Sequence, residues 1–237
     1  MTVPRTGPPP VAHRLDVPAF ALGVAPLDQL DLPSGPAGVV VGLDGSGAPV
    51  LLRLFRPRPT RVTVLGGMYL VRLLVLRAFA FGARVVVQTG RSPAWHGWPT
   101  WVTGRGDRLL FAPAAEAVTA AGTPQSPVLV VQDTGHMPSA APPVPGPWQT
   151  HLTVLPQLTA YGFGALVDTD VLMMQRLRPD EALAAGGALR LGPGVTEALG
   201  AVPDDMVALR GSGADGYVWL DPSPVEREAL GPPHRDG

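Results

Sequence analysis

With 237 residues, 46% of them apolar and 16% charged, the chain carries enough core-forming side chains for one sizeable domain, which excludes general disorder. A formal net charge of −1 excludes a global electrostatic pull towards nucleic acid or an anionic membrane. All 18 residues of the lysine-plus-arginine class are arginine, and cysteine is absent, which excludes a lysine Schiff base, a cysteine nucleophile, a thiolate metal site and a disulfide.

Residues 1–14, with the run Thr6-Gly7-Pro8-Pro9-Pro10, read as a flexible, polyproline-like arm, residues 15–222 as one domain and residues 223–237 as a flexible tail. Residues 38–43 are a predicted strand, a Gly45-Ser46-Gly47 turn follows, and residues 49–55 are a second strand. Residues 61–65 form a short buried strand that Gly66-Gly67 breaks. Residues 68–81 run without glycine or proline and are apolar nearly all round, which predicts a mostly buried helix with Gly82 at its C-terminal cap. Residues 84–88 are another apolar strand, so the stretch makes a βαβ unit whose crossover implies a parallel sheet. Two further buried strands are expected at residues 128–132 and 164–168, joined by a helix over 148–161 that Pro156 would kink. The Pro-rich run 138–147 is expected to be a surface loop, and residues 206–210 and 216–220 a closing hairpin.

Three segments are candidates for chemistry. Gly66-Gly67-Met68-Tyr69 lies between a strand and a buried helix, where helix N–H groups can hold an anion. A working phosphate loop needs G-x-x-x-x-G-K-[ST], with backbone to wrap the phosphates, a lysine and a magnesium-binding hydroxyl. Here the wrap is missing and Met68-Tyr69 fills the Lys-Ser/Thr place, so a plain structural turn is the stronger reading. Lysine, asparagine and isoleucine are jointly absent and all have AT-rich codons, which points to a GC-rich genome such as an actinomycete's. The missing lysine therefore weighs less than the shortened loop.

The second candidate is Gln132-Asp133, closing an apolar strand in the manner of a Walker B element, with Gln132 where the first acid would stand. Thr134-Gly135 follows, so turn capping or structural hydrogen bonding is the favoured account of Asp133. The third is the loop holding Arg91, Trp95, His96, Trp98 and Trp101, with three of the five tryptophans in seven residues. It reads equally as a binding surface at a strand's C-terminal end or as a satellite apolar cluster. Asp168-Thr169-Asp170 could hold a cation or, more in keeping with its context, cap a helix from Val171. The scattered histidines offer no paired zinc spacing, so no metal is expected. The longest apolar stretch, 68–81, is interrupted by Arg72 and Arg77, and the N-terminus lacks a signal-peptide pattern. No transmembrane segment and a cytoplasmic location are expected.

From Gly38 to about Leu220 the order of these elements resembles the FtsK/EccC class of P-loop ATPase modules, especially degenerate modules of the type VII secretion ATPase of actinobacteria. Residues 61–67 and 70–74 look like the P-loop strand and helix with the loop deleted, residues 127–133 like the Walker B strand, and residues 206–220 like the closing hairpin. The resemblance implies a three-layer α/β, P-loop NTPase-like fold, mainly parallel with antiparallel edge hairpins. It also implies a non-catalytic pseudo-ATPase without cofactor, serving as an adaptor or regulatory partner of a secretion ATPase or its substrates, peripheral to a membrane complex. The alternatives are an enzyme or a small-molecule or nucleotide binder using the strand-end crevice, lined by Arg91, the tryptophan loop, Asp133 and Asp168, and a structural subunit of a homo-oligomer. Nucleic-acid binding is not expected, because the arginines are dispersed.

Overall fold

The structure is a computed structural model that describes residues 38–95, 108–114, 118, 120–133, 135, 146–211, 213 and 215–235. In chain order its elements are β1 (Val39–Leu43), β2 (Pro49–Leu52), β3 (Thr60–Leu65), α1 (Met68–Ala80), β4 (Arg84–Thr89), a 3-10 turn (Ser92–Trp95), β5 (Leu109–Ala112) and β6 (Val128–Asp133). There follow β7 (Gln149–Leu155), α2 (Phe163–Val167), β8 (Val171–Met174), α3 (Pro179–Leu189), α4 (Pro193–Gly200), β9 (Met206–Gly211), β10 (Gly216–Trp219) and α5 (Pro224–Leu230). Thr134, residues 96–107 and most of the 138–147 run lie outside the described residues.

The ten strands among the described residues join one sheet in the order β2-β1-β10-β9-β8-β3-β7-β6-β4-β5. From β8 to β5 every pairing is parallel, and from β8 back to β2 every pairing is antiparallel. The fold is therefore α/β and mainly parallel, as expected, with both hairpins on the same side. Strand β3 sits at the centre between β7 and β8 and runs through Gly66-Gly67 into α1.

The sheet has a helix layer on each face. One core packs Leu70, Leu73, Leu74 and Ala78 of α1 against Val62, Val64, Leu129, Val131, Leu152 and Val154. The second, smaller core packs Leu166, Ala182, Ala185 and Leu199 of α2, α3 and α4 against Leu65, Leu155, Leu172 and Met174. Strict alternation along β3 and β7 divides each strand between the two cores.

Two expected elements change type. The helix predicted over 148–161 is instead β7, and the strand predicted over 164–168 is instead α2, with the next strand displaced to β8. His151-Leu152-Thr153-Val154 is rich in β-branched residues, and β7 finds parallel partners on both edges, in β3 and β6. A helical reading of a short apolar run cannot compete with two complete ladders. Accordingly no helix begins at Val171 for Asp168 or Asp170 to cap, and Asp168 instead stands at the C-terminal cap of α2, its N–H donating to the Gly164 carbonyl. Asp170 accepts from the Arg61 backbone N–H at 2.8 Å, Asp168 pairs with the Arg61 guanidinium at 3.1 Å, and both lie at the start of β8.

Within residues 223–237, read from sequence as a flexible tail, Ser223 caps α5 in a reciprocal box with Glu226. Arg77, in the last turn of α1, holds this helix: its Nε reaches Glu226 at 2.7 Å, while Nη1 donates to the carbonyls of Val40 and Val41 and Nη2 to that of Asp221.

Candidate functional site

The turn between β3 and α1 joins the C-terminal end of a central parallel strand to the N-terminus of a buried helix. Gly66 still belongs to the sheet, since its N–H donates to the Leu155 carbonyl at 3.0 Å. Gly67, in extended conformation, is the N-cap of α1, and its N–H is the first to point out of the helix. That N–H is taken by the side-chain carbonyl of Gln175 at 2.7 Å. The register explains why. Leu65 pairs with Met174, so Gly66 and Gln175 are the residues immediately beyond two adjacent parallel strands. Gln175 is buried, and a β-carbon at Gly66 would overlap its side-chain oxygen. The amide therefore sits in the cradle that glycine leaves, where an anion would otherwise meet the helix N-terminus.

The far side of the Gln175 amide donates to the His234 carbonyl at 3.0 Å. Gly231, at φ 72°, ends α5 and turns the chain back over the strand ends. The His234 ring lies 5.5 Å from the ring of Tyr69, in the first turn of α1. Arg235 then reaches the segments that follow β7 and β8, its guanidinium donating to the carbonyls of Pro156 (3.0 Å) and Arg176 and to the carboxylate of Glu181 at 2.9 Å. Glu181, in the first turn of α3, is fully buried and also accepts from the N–H groups of Leu158 and Arg178. Burial pushes its carboxyl up, and the hydrogen bonds led by Arg235 outweigh burial and hold it below the usual carboxylate range.

Asp133 ends β6 with its carboxylate at 0% exposure. It accepts from Trp95 Nε1 at 2.9 Å, from Thr89 Oγ1 at 3.1 Å and from Arg91 through Nε at 2.9 Å and through Nη2. Its oxygens are thus engaged by three side chains from β4 and the turn that follows. The Arg91 guanidinium also lies 3.5 Å from the Met68 sulfur, which brings it to the N-terminus of α1. Trp95 belongs to the main core and meets Phe111 edge-on with centroids 6.4 Å apart. His96, Trp98 and Trp101 lie outside the described residues.

Gln132 faces the other side of the sheet. It bridges Gln88 (3.5 Å) and Thr153 (3.4 Å) in a polar row across β4, β6 and β7. On the same face His151 is buried with no partner for Nε2 among the described residues, and burial, followed by the Arg61 charge, depresses its pKa to about 4.

The structure thus gathers Gly66, Gly67, Met68, Tyr69, Arg91, Trp95 and Asp133 at the C-terminal ends of the parallel strands. Asp168 lies at the opposite ends, since it precedes β8. Gln175, Glu181 and Arg235 complete the crevice and had no motif to announce them. The one available signal was Gln175 itself, a lone amide directly after the apolar run Val171-Leu172-Met173-Met174. Among the described residues no group of three or more acidic or histidine side chains could hold a metal ion. Among the same residues no helix is long and apolar enough to cross a membrane.

No protein-family model matches the chain, and no curated protein does. Solved structures do. The chain is similar to the DNA-packaging ATPase of Sulfolobus turreted icosahedral virus, at 10% identity and a TM-score of 0.42, over 69% of this chain and 98% of that one. It is also similar to the genome-packaging NTPase of Sulfolobus turreted icosahedral virus 2 in complex with AMP, at 10% identity and a TM-score of 0.41, over 71% and 100% of the two chains.

Proposed function

We propose that this protein is a pseudo-ATPase, a non-catalytic ATPase-like domain that works through protein contacts. The observation that carries the reading is the Gln175 amide on the Gly67 N–H, which puts the protein's own side chain where a nucleotide phosphate would have to bind. The second requirement of P-loop chemistry, a carboxylate free to order magnesium and water, is equally compromised, because Asp133 is saturated by Arg91, Trp95 and Thr89. The resemblance to degenerate type VII secretion ATPase modules supports a place beside such an ATPase or its substrates, at the cytoplasmic face of the secretion complex.

A surface suited to partner contact is present on the antiparallel wing. Val40, Leu51, Tyr217 and Trp219 are exposed on the face turned away from the main core. Apolar residues gathered on one sheet face are a common signature of a protein-binding surface. A crevice for a small ligand lined by Arg91, Asp133 and Asp168 gains no support, since the first two bond each other and the third lies at the far strand ends.

Calorimetry with magnesium-ATP tests the reading and is expected to show no binding. Tight, magnesium-dependent binding would overturn it. Surface-plasmon titration against a type VII secretion ATPase from the same genome is expected to show binding that Leu51→Glu and Trp219→Glu weaken.

A further inference from the structure

The crevice over the turn is filled by a short chain segment rather than by an element of the fold. Residues 232–235 reach the body through the His234 carbonyl, the His234 ring and the Arg235 guanidinium. Helix α5, just before them, is held separately by the Arg77–Glu226 pair, with both side chains nearly buried. Gly231, with positive φ, divides the two. The contacts that hold α5 are therefore separate from those that hold the residues beyond Gly231.

What they would leave is a built site. The Glu181 carboxylate is at 0% exposure, and the Arg235 guanidinium that neutralises it is at 11%. The Pro156 and Arg176 carbonyls flank the same guanidinium. Arg178 also approaches Glu181, at 3.7 Å, but from a half-exposed position. A carboxylate so placed strongly disfavours being left without a cation, and planar, bidentate recognition by two carbonyls and a carboxylate suits arginine and not lysine.

We propose that this crevice is a receptor site for an arginine-bearing, proline-flanked segment of a partner protein, held in cis by Pro232-Pro233-His234-Arg235 until the partner's segment displaces it. The site takes a guanidinium on Glu181 and a peptide carbonyl on the Gln175 amide. The tail acts as an internal competitor, raising the threshold for partner binding through its high effective concentration. The proposal rests on the adaptor reading above and names the chemistry of the partner.

The test uses a fluorescein-labelled peptide of residues 231–237, titrated into the full chain and followed by anisotropy. The Arg235→Ala chain is expected to bind the peptide at least about ten-fold more tightly than the unaltered chain, because the competing side chain is gone. A peptide with alanine in place of arginine should not bind, and adding Glu181→Gln to the Arg235→Ala chain should abolish binding. An Arg235→Ala chain that is folded by circular dichroism and binds the peptide no better than the unaltered chain overturns the proposal. Should Arg235→Ala fail to fold, a chain carrying a specific protease site after Gly231 folds with its tail attached and is cut afterwards. Failure of the cut chain to rebind the peptide overturns the proposal equally. Magnesium-ATP is titrated into the same Arg235→Ala chain: nucleotide binding there sinks the adaptor reading itself, whereas peptide failure without nucleotide binding sinks only the receptor site. A concentration-dependent dimer of the unaltered chain, lost in Arg235→Ala, would make the occupant a second copy of this chain and overturn the partner assignment.

Discussion

Replacing Asp133 with alanine separates a structural carboxylate from a catalytic one. The side chain is wholly buried and serves three donors, so its loss orphans each to a different degree. The Trp95 indole N–H, on a residue at 1% exposure, has no route to water, and an unsatisfied buried donor costs about 1–3 kcal/mol. The Arg91 guanidinium is 37% exposed and can turn partly to solvent, so its loss adds only about 1 kcal/mol. The total is about 3 kcal/mol, or roughly 6–12 °C in Tm for a domain of this size. Asp133→Asn keeps an acceptor for Trp95 and should cost about 1 kcal/mol. Arg91→Ala strands a fully buried carboxylate and should be the most damaging, at about 3–5 kcal/mol. Urea unfolding of the three variants gives the order directly. An Asp133→Ala chain with an unchanged unfolding midpoint would refute the assignment of this residue to the core network.

Three further outcomes follow from the same geometry. Gln175→Ala removes the acceptor of the Gly67 N–H and the donor to His234, and should lower stability by about 1–2 kcal/mol by urea unfolding. His151 has a folded pKa of about 4 against 6.5 in the unfolded chain, so between those values the unfolded state binds the extra proton. Stability should therefore fall as pH drops through that window, by about 3 kcal/mol in all, and His151→Leu should flatten the pH profile of the unfolding midpoint there. Arg77→Lys should fail to substitute for arginine, because one ammonium cannot serve Glu226 and the carbonyls of Val40, Val41 and Asp221 together. A loss of about 2–4 kcal/mol by urea unfolding is expected.

The parts of the fold legible in the sequence are those where local pattern and tertiary setting agree. The run from Arg61 to Thr89 carries its own punctuation in Gly66-Gly67 and Gly82, and its strand, helix and strand stand where they were expected. The stretch from Trp148 to Met174 reads wrongly because its apolar residues fit either period. What decides between them is the availability of β3 and β6 as neighbours, which no local window contains. The site divides in the same way. Asp133 and Arg91 are conspicuous at strand ends, and structural hydrogen bonding was the favoured reading for the aspartate. That the two bond each other depends on β4 and β6 being adjacent in register. Gln175, Glu181 and Arg235 are invisible for a different reason. Each is an ordinary polar residue, and they acquire meaning only when the chain's last residues return over β3, β7 and β8.

The pairing of Leu43 with Trp219 also has a temporal side. Strand β1 comes far before its sheet neighbour β10 in the chain, so during synthesis the β1–β2 hairpin must wait with the edge that β10 will pair left open. The parallel half can assemble from what has already emerged, and the antiparallel wing cannot. Arg77, which gathers carbonyls from β1 and from beyond β10, has only the Val40 and Val41 half of its grip until then. Refolding should accordingly show a late, sequence-distant phase confined to the wing, and the waiting hairpin is the species most exposed to wrong partners along the way.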